Sequence, residues 1–73
     1  MSLKPLPYRE VKRRLEAAGF VKHSRKVSHV KFVQRTPEGV FTAIVPHHLE
    51  VAGGALRSIL RQAGLTVDDF EAL

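Results

Sequence analysis

The stretch of sequence that decides the fold is residues 28–35, which read Ser-His-Val-Lys-Phe-Val-Gln-Arg. Apolar and polar side chains alternate along it, and a period of two is typical of a β-strand with one face on a core. Val30 and Phe32 share the face that can pack against helices. The opposite face, which the alternation leaves open to solvent, carries His29, Lys31, Val33 and Arg35.

Two more strands are predicted around this one. Residues 20–24 read as a short strand before it, and residues 40–45 have the β-branched and aromatic content of a strand after it. Residues 36–39, Thr-Pro-Glu-Gly, are a turn signal, because proline can fill the second position of a turn and glycine the last. Three neighbouring strands with short connections predict an antiparallel meander.

Helices are predicted at both ends of the chain. In residues 7–18 the apolar side chains recur at spacings of three and four, and Gly19 can end this helix because glycine tolerates the left-handed conformation. Pro7 near the start has a φ that suits a helix. Residues 54–63 show the same apolar spacing, and Gly64 closes that helix. The buried face of the second helix is expected to hold Leu56, Ile59, Leu60 and Ala63.

A last helical turn is predicted at residues 67–71, with Phe70 packing inward. Thr66 and Asp69 have the spacing of a capping box at its start. The predicted order is helix, three strands, helix, and both main helices should cover one sheet face because the other face carries the polar side chains. We therefore expect a single α+β domain over residues 1–73.

Composition excludes several classes of protein. The chain has 73 residues and no cysteine, which excludes disulfides and thiol chemistry and fits a reducing cytoplasm. No apolar run approaches the ~20 residues of a membrane span. Residues 1–5 lack the features of an export signal. We therefore expect a cytoplasmic protein that has no membrane partner.

The charge is concentrated in one half of the chain. The whole chain has 12 Lys and Arg against 7 Asp and Glu, but residues 1–35 alone carry ten Lys and Arg against two Glu. A positive field on part of a small protein attracts polyanions, and nucleic acid is the most common polyanion in a cell. The alternatives are a basic surface that only keeps the protein in solution, or one that meets an acidic protein partner.

His29 is the residue best suited to chemistry. It is predicted in a strand on the open face, with Lys31 about 7 Å further along and Arg35 beyond it. Histidine as a residue type ordinarily titrates near pH ~6.5, and neighbouring cations can hold a phosphodiester and the charge that develops on it. Because RNA contains its own nucleophile, the 2′-hydroxyl, such a site could cleave RNA without a metal. The alternative is a histidine with a purely structural role.

Other residues give weaker signals. His47, His48 and Glu50 lie together in a predicted loop at residues 47–53, but neighbours on an extended segment point to opposite sides, which does not suit a metal site. The glycine pair at residues 53–54 could leave helix N–H groups free for one phosphate, although a flexible helix N-cap is the simpler interpretation. We expect no bound metal and no cofactor.

Four segments match, in order, the pattern of one protein family. They are the first helix running into Ala-Gly-Phe-Val at residues 18–21, the pair Ser28-His29 with Phe32 after it, Val-Pro-His at residues 45–47, and residues 54–66. Together they cover nearly the whole chain, and the last is the most specific. In these segments the chain resembles the HicA-like mRNA interferase toxins, the YcfA-like family of type II toxin–antitoxin systems.

This resemblance implies a fold, an activity and partners. The fold is an αβββα arrangement like a double-stranded-RNA-binding domain, with a three-stranded antiparallel sheet and both helices on one face. The activity is that of an endoribonuclease whose single catalytic histidine, carried by a Gly-Ser-His segment, falls on His29. The partners are mRNA, whose cleavage arrests growth, and a HicB-like antitoxin that covers the active face.

The resemblance and the charge pattern together suggest roles for named residues. His29 would act as general base or acid, with Lys31 and Arg35 as phosphate ligands or stabilisers of the transition state. Ser28, Lys31 and His47 are all conceivable donors of the proton that the leaving oxygen needs. The candidate RNA-binding residues are Lys22, Arg25, Lys26, Ser28, Lys31 and Arg35.

One position departs from the family pattern. The glycine before Ser-His is Val27 here, and a β-branched residue disfavours the positive φ that glycine permits. The turn into the strand is therefore expected to differ. This keeps open a second function, a non-catalytic RNA-binding module of the same fold, because such folds can hold RNA without cutting it.

Overall fold

The computed structural model describes residues 3–73, so Met1 and Ser2, which belong to the segment used for the prediction about export, lie outside it. Within the described residues no helix is long and apolar enough to cross a membrane. The elements in chain order are β1 (Leu6–Pro7), α1 (Tyr8–Ala17), β2 (Val21–Lys26), β3 (His29–Thr36), β4 (Gly39–Pro46), β5 (Glu50–Val51), α2 (Gly53–Ala63) and α3 (Val67–Glu71).

The central sheet has three antiparallel strands in the order β2-β3-β4. In the β3–β4 ladder His29 lies opposite Pro46 and Thr36 lies opposite Gly39, so the two strands pair along their whole length. The β2–β3 ladder contains a register shift between Lys22 and Ser24. The predicted antiparallel meander is confirmed, although β2 extends to residue 26 instead of ending at residue 24.

The helices cover one face of this sheet and enclose the core. Val30 and Phe32 on β3 are 1% and 0% exposed, whereas His29 between the turn and Val30 is exposed, which confirms the predicted faces of residues 28–35. The architecture is therefore α+β, in the αβββα order that the sequence resemblance implies. The side chains that complete the core are Val11, Leu15, Phe20, Ala43, Val45, Val51, Leu56, Ile59, Leu60, Ala63 and Phe70.

The helix ends follow the predicted signals closely. Gly19 and Gly64, with φ of +104° and +73°, each lie just past the end of a helix. At α3 the Thr66 hydroxyl accepts a hydrogen bond from the Asp69 N–H, and the Asp69 carboxylate accepts one from the Thr66 N–H. This is the predicted capping box with aspartate in place of glutamate.

A second, two-stranded sheet was not predicted. β1 and β5 pair antiparallel, with Leu6 opposite Val51 and Pro7 opposite Glu50, so the segment at residues 47–53 is not entirely a loop. Pro7 also has an extended ψ of 148° and serves as the N-cap of α1 rather than as its first helical residue. Strands of two residues are too short to show a period, which is why the sequence pattern misses them.

The glycine pair at the start of α2 has a steric role. The N-cap is Ala52, and the helix begins at Gly53, one residue before the predicted start. A Cβ atom on Gly53 would lie 2.6 Å from the carbonyl oxygen of Leu3. Gly53 is therefore needed for the close approach of the N-terminal segment to α2, and it is not a flexible N-cap.

The turn between β2 and β3 consists of Val27 and Ser28. Val27 has a φ of +55° and is the one non-glycine residue with positive φ in the described part of the chain. Two-residue hairpin turns need positive φ, which is why they favour glycine, asparagine or aspartate. Val27 therefore adopts a positive φ that glycine takes readily and that costs a β-branched residue energy.

We expect Val27→Gly to stabilise the protein. The left-handed conformation costs an L-residue about 1–2 kcal/mol, and the extra freedom of glycine in the unfolded chain offsets about 0.5–1 kcal/mol of that gain. Val27 is 85% exposed, so little burial is lost. The free energy of unfolding should rise by up to about 1 kcal/mol, and Tm by several degrees, in a thermal melt.

The matched control for this change is Val40→Gly. Val40 is also an exposed valine, but it lies within β4 opposite Arg35 and does not have a positive φ. Glycine there only adds unfolded-state freedom, so Tm should fall. A fall in Tm for Val27→Gly as well would contradict the claim that the turn is strained.

An exposed ion cluster on α1 makes stability depend on pH. The carboxylate of Glu10 accepts hydrogen bonds from Arg13 at 2.6 and 3.1 Å and from Arg14 at 2.8 Å. These bonds, led by the Arg13 side chain, lower the pKa of Glu10 to about 2. A lowered carboxyl pKa means that the charged form is favoured in the folded state, so this stability is complete above the ordinary pKa of 4.5 and is lost as pH falls towards 2.

We therefore expect Glu10→Gln to destabilise the protein above pH 4.5 and to make no difference near pH 2. Urea unfolding of both proteins across this range measures the difference. The pKa of Asp69 is also lowered, chiefly by the hydrogen bond from the Thr66 backbone, but its contribution is common to both proteins and cancels. A difference that stays constant down to pH 2 would contradict the role given to Glu10.

Candidate active site

His29 lies in a groove on the open face of the sheet. The groove has a volume of about 470 Å³. The strand register explains which residues line the groove, because residues paired across antiparallel strands point to the same side. Lys26 pairs with His29, and Lys31 pairs with Ser24 on one side and Ile44 on the other. The residues that line this sheet groove are Ser24, Lys26, Val27, His29, Lys31 and Ile44.

The backbone of His29 is held on both sides. It is the first residue of β3 and directly follows the Val27-Ser28 turn. Its neighbours in the sheet are Lys26 on β2 and Pro46 on β4. Its side chain is exposed. The imidazole is therefore presented to solvent from a fixed position, beside two lysines, which is an arrangement suited to proton transfer at an anionic substrate.

The three-stranded sheet carries only one sign of charge. Its strands contain five Lys and Arg residues and no Asp or Glu. In the described residues the ion pairs are those of Glu10 with Arg13 and Arg14 on α1, so the sheet cations are not neutralised by carboxylates. A surface of unpaired cations attracts a polyanion and is sensitive to salt.

The structure brings some of the predicted RNA-binding residues to His29. Lys26 and Lys31 line the same groove. Ser28 lies in the turn, where its carbonyl oxygen accepts a hydrogen bond from the His47 N–H. Arg35 is on the same face of β3 but six residues further along, roughly 20 Å from His29 by strand geometry.

Lys22 and Arg25 lie on the other side of β2. They pair with Phe32 and Val30, whose side chains point into the core, so both cations project towards the helix side. Lys22 borders a second cavity of about 420 Å³ together with Arg35. The sequence could not assign these sides because all six residues of β2 are exposed and show no alternation.

Two groove residues, Ser24 and Ile44, were missed by sequence reasoning. Both are cross-strand neighbours of Lys31, and only the register reveals this. Ile44 is 39% exposed, and its N–H donates to the Oε1 of Gln62 on α2, which covers this edge of the sheet. The open face of β4 carries Val40, Thr42, Ile44 and Pro46 and is largely apolar, so no feature of the sequence marks Ile44 as a groove residue.

Of the three conceivable proton donors, the structure separates His47 from His29. His47 follows β4, and its ring contacts Tyr8 at the start of α1, on the helix side. Lys31, in contrast, shares the groove with His29. Within residues 3–73 no three His, Asp or Glu side chains are grouped so that they could hold a metal ion.

The comparison with known families agrees with this geometry. The model of the family described as "HicA toxin of bacterial toxin-antitoxin" matches residues 8–65. This segment contains α1, the whole three-stranded sheet with the His29 turn, and α2. A comparison with curated proteins finds no match. Because the family model covers most of the chain, the protein belongs to the HicA toxins of bacterial toxin–antitoxin systems.

Proposed function

We propose that this toxin is a metal-independent endoribonuclease, an mRNA interferase that uses His29 for proton transfer. The observation that carries the proposal is the sheet groove, which an exposed imidazole shares with Lys26 and Lys31 on a sheet whose strands have no acidic residues. The family membership supports the same reading, because this chain retains the Ser28-His29 pair.

The chemistry needs few groups from the protein. A base removes the proton of a ribose 2′-hydroxyl, the oxygen attacks the neighbouring phosphorus, and the bond from phosphorus to the 5′-oxygen breaks. The products are a 2′,3′-cyclic phosphate and a 5′-hydroxyl, which receives a proton from an acid. The nucleophile belongs to the RNA, so neither a metal-bound water nor a protein nucleophile is required.

His29 takes the part of general base or acid in this scheme. Lys31 holds the phosphate or stabilises the charge on its oxygens in the transition state, and Lys26, on the neighbouring strand, contacts the same region of the backbone. Lys31 also remains a donor for the leaving oxygen, as does Ser28. Arg35 lies too far from His29 to touch the same phosphate and contacts the RNA further along.

The partners follow from the charge and the family. The substrate is mRNA, bound through its phosphates by the basic sheet, and Lys22 and Arg25 would extend this contact around the edge of β2. The antitoxin is a HicB-like protein that covers the open sheet face in the cytoplasm and blocks access to His29. Charge complementarity requires its contact surface to be acidic.

The experiment that tests this function is induction of the chain in bacterial cells, with growth and mRNA length as readouts. We expect growth arrest and shortened mRNA with the native chain and neither effect with His29→Ala. Co-expression of an acidic HicB-like antitoxin should restore growth. Arrest with intact mRNA would contradict the proposal.

A non-catalytic RNA-binding module is the second candidate. The strained Val27 turn directly before His29 favours it, because a change at the family's glycine could accompany loss of activity. Such a module would shift RNA in a gel, with affinity that falls steeply as salt rises, yet would yield no product. Cleavage by the purified native chain excludes it.

A further inference from the structure

A second group of aromatic and basic side chains lies at the end of the sheet, on the helix side. Tyr8 and His47 meet edge to face, with ring centroids 4.2 Å apart and an interplanar angle of 74°. They border a cavity of about 360 Å³ that shares no residue with the sheet groove. This Tyr8–His47 surface is lined by Pro7, Tyr8, Arg9, His47, His48 and Leu49.

The strand register places this surface close to His29. Pro46 lies opposite His29, and one step further the His47 N–H donates to the Ser28 carbonyl. Because successive side chains on a strand alternate between faces, the step from Pro46 to His47 crosses from the groove side to the helix side. The Tyr8–His47 surface and the sheet groove are thus on either side of the same sheet end, one residue pair apart.

The aromatic and apolar groups of this surface are accessible. His47 is exposed and Tyr8 is half-buried. Leu49 is 97% exposed, so its apolar side chain is not covered by the protein. An exposed leucine beside an aromatic pair offers a contact for a flat apolar group.

The charges around the surface favour an anion. Arg9 lines the cavity, and Arg25 on β2, whose Nε donates to the Val27 carbonyl at 3.2 Å, adds a positive charge whose field reaches the Tyr8 hydroxyl. Burial raises the pKa of the Tyr8 hydroxyl, Arg25 acts in the opposite direction, and Glu16 on α1 adds to the rise. Two acidic residues are near the surface, Glu16 on α1 and Glu50, which pairs with Pro7 in the β1–β5 sheet, and neither of them lines the cavity.

We propose that the Tyr8–His47 surface binds an unpaired base of the RNA substrate, with Arg9 and Arg25 on the adjoining phosphates. The inference rests on the proposed ribonuclease function and adds a substrate class to it, which is single-stranded RNA that bends around the sheet end. The cut would take place in the sheet groove, and the base next to the cut would stack on the other side.

An RNA base fits these groups better than a protein segment does. Bases stack on tyrosine and histidine rings and on arginine planes, and each base is linked to a phosphate that a cation can hold. An acidic peptide would use the arginines but has no need of two adjacent rings. Bases in a duplex are already stacked and paired, so they cannot reach this surface without melting.

The test measures RNA binding in the His29→Ala background, where the RNA stays intact. The probes are a short fluorescein-labelled single-stranded RNA of mixed sequence and the same strand annealed to its complement. We expect Tyr8→Leu to weaken binding of the single strand roughly tenfold, because a stacked base contributes about that much, and to leave duplex binding unchanged. Tyr8→Phe keeps the ring and should bind as tightly as tyrosine.

A second series uses the exposed partner ring and a modified RNA. His47→Ala should weaken single-strand binding in the same way, even if Tyr8→Leu unfolds, and a circular dichroism melt identifies unfolding. In a set of RNAs, each nucleotide in turn is replaced by an abasic site. At one position the replacement should remove the difference in affinity between His47→Ala and its parent, because the stacked base is then absent.

Several results would overturn the inference. One is equal affinity of the parent, Tyr8→Leu and His47→Ala for the single-stranded RNA. Another is a loss of affinity in the variants that is the same for single strand and duplex. The third is that neither RNA binds measurably. The proposed function can fail separately. If the native chain binds single-stranded RNA through Tyr8 and His47 but does not cut it, the base-binding site is supported and the ribonuclease function is contradicted.

Discussion

Replacing His29 with alanine is expected to lower the rate of RNA cleavage by about 10²- to 10⁴-fold, the usual contribution of a positioned acid or base. The fold should be unaffected, because the side chain is exposed and the backbone remains paired with both neighbouring strands. The variant should also bind RNA as tightly as the native chain, since Lys26 and Lys31 are unchanged. The measurement is a single-turnover cleavage rate with a labelled RNA.

His23→Ala is the matched control for this change. His23 is also an exposed histidine of the basic sheet, but it lies at the register shift of β2 and outside the sheet groove. Its removal should leave the rate within the experimental error of the native value. Equal rates for His29→Ala and the native chain would mean that the groove is not the catalytic site.

Lys31→Ala is expected to lower the cleavage rate by about 10²-fold, the loss typical of removing one donor that stabilises a transition-state oxyanion. Lys31 is the cation closest to His29 along its own strand, and both line the sheet groove. Its side chain is half-buried between Ser24 and Ile44, which limits the positions of the ammonium group. A positioned charge can act on the transition state, whereas a freely moving one mainly adds affinity.

The kinetics distinguish the two roles proposed for Lys31. A fall in kcat with an unchanged KM indicates stabilisation of the transition state, and a rise in KM alone indicates a phosphate ligand. Arg57→Ala removes the same charge from an exposed position on α2 and controls for the general loss of positive field. Similar cleavage rates for Lys31→Ala and Arg57→Ala would show that Lys31 contributes only its share of the overall positive charge.

Much of the fold follows from the sequence because the elements that form the core show a clear period. The alternation in residues 28–35 fixes which side of β3 is buried, and the spacing in residues 54–63 fixes the buried side of α2. Gly19, Gly64 and the Thr66 box mark helix ends through local chemistry. Each of these signals depends only on near neighbours in the chain.

The features that the sequence could not predict depend on pairing between distant residues. The β1–β5 sheet joins Leu6 to Val51, and neither strand is long enough to carry a pattern. β2 is exposed on both faces, so its six residues show no alternation and the opposite directions of Lys26 and Arg25 become visible only through the register. The contact between Tyr8 and His47 likewise needs the fold.

The candidate site was partly predictable for the same reason. His29, Lys31 and Arg35 share a face because they are two, four or six residues apart on one strand, which sequence alone can give. The register between β2 and β3 decides which cations of β2 lie beside these residues. The result is a narrower site than the sequence indicated, with Lys26 and Lys31 beside His29 and the other cations further away.

The most direct test of the central claim is the chemistry of the RNA ends after incubation with the purified chain in excess EDTA, which removes metal-dependent nucleases from consideration. The native chain should cut and leave 2′,3′-cyclic or 3′-phosphates with 5′-hydroxyl ends, and His29→Ala should leave the RNA intact. Cleavage that EDTA abolishes, fragments with 5′-phosphates, or equal cutting by both proteins would contradict a histidine-assisted, metal-independent ribonuclease.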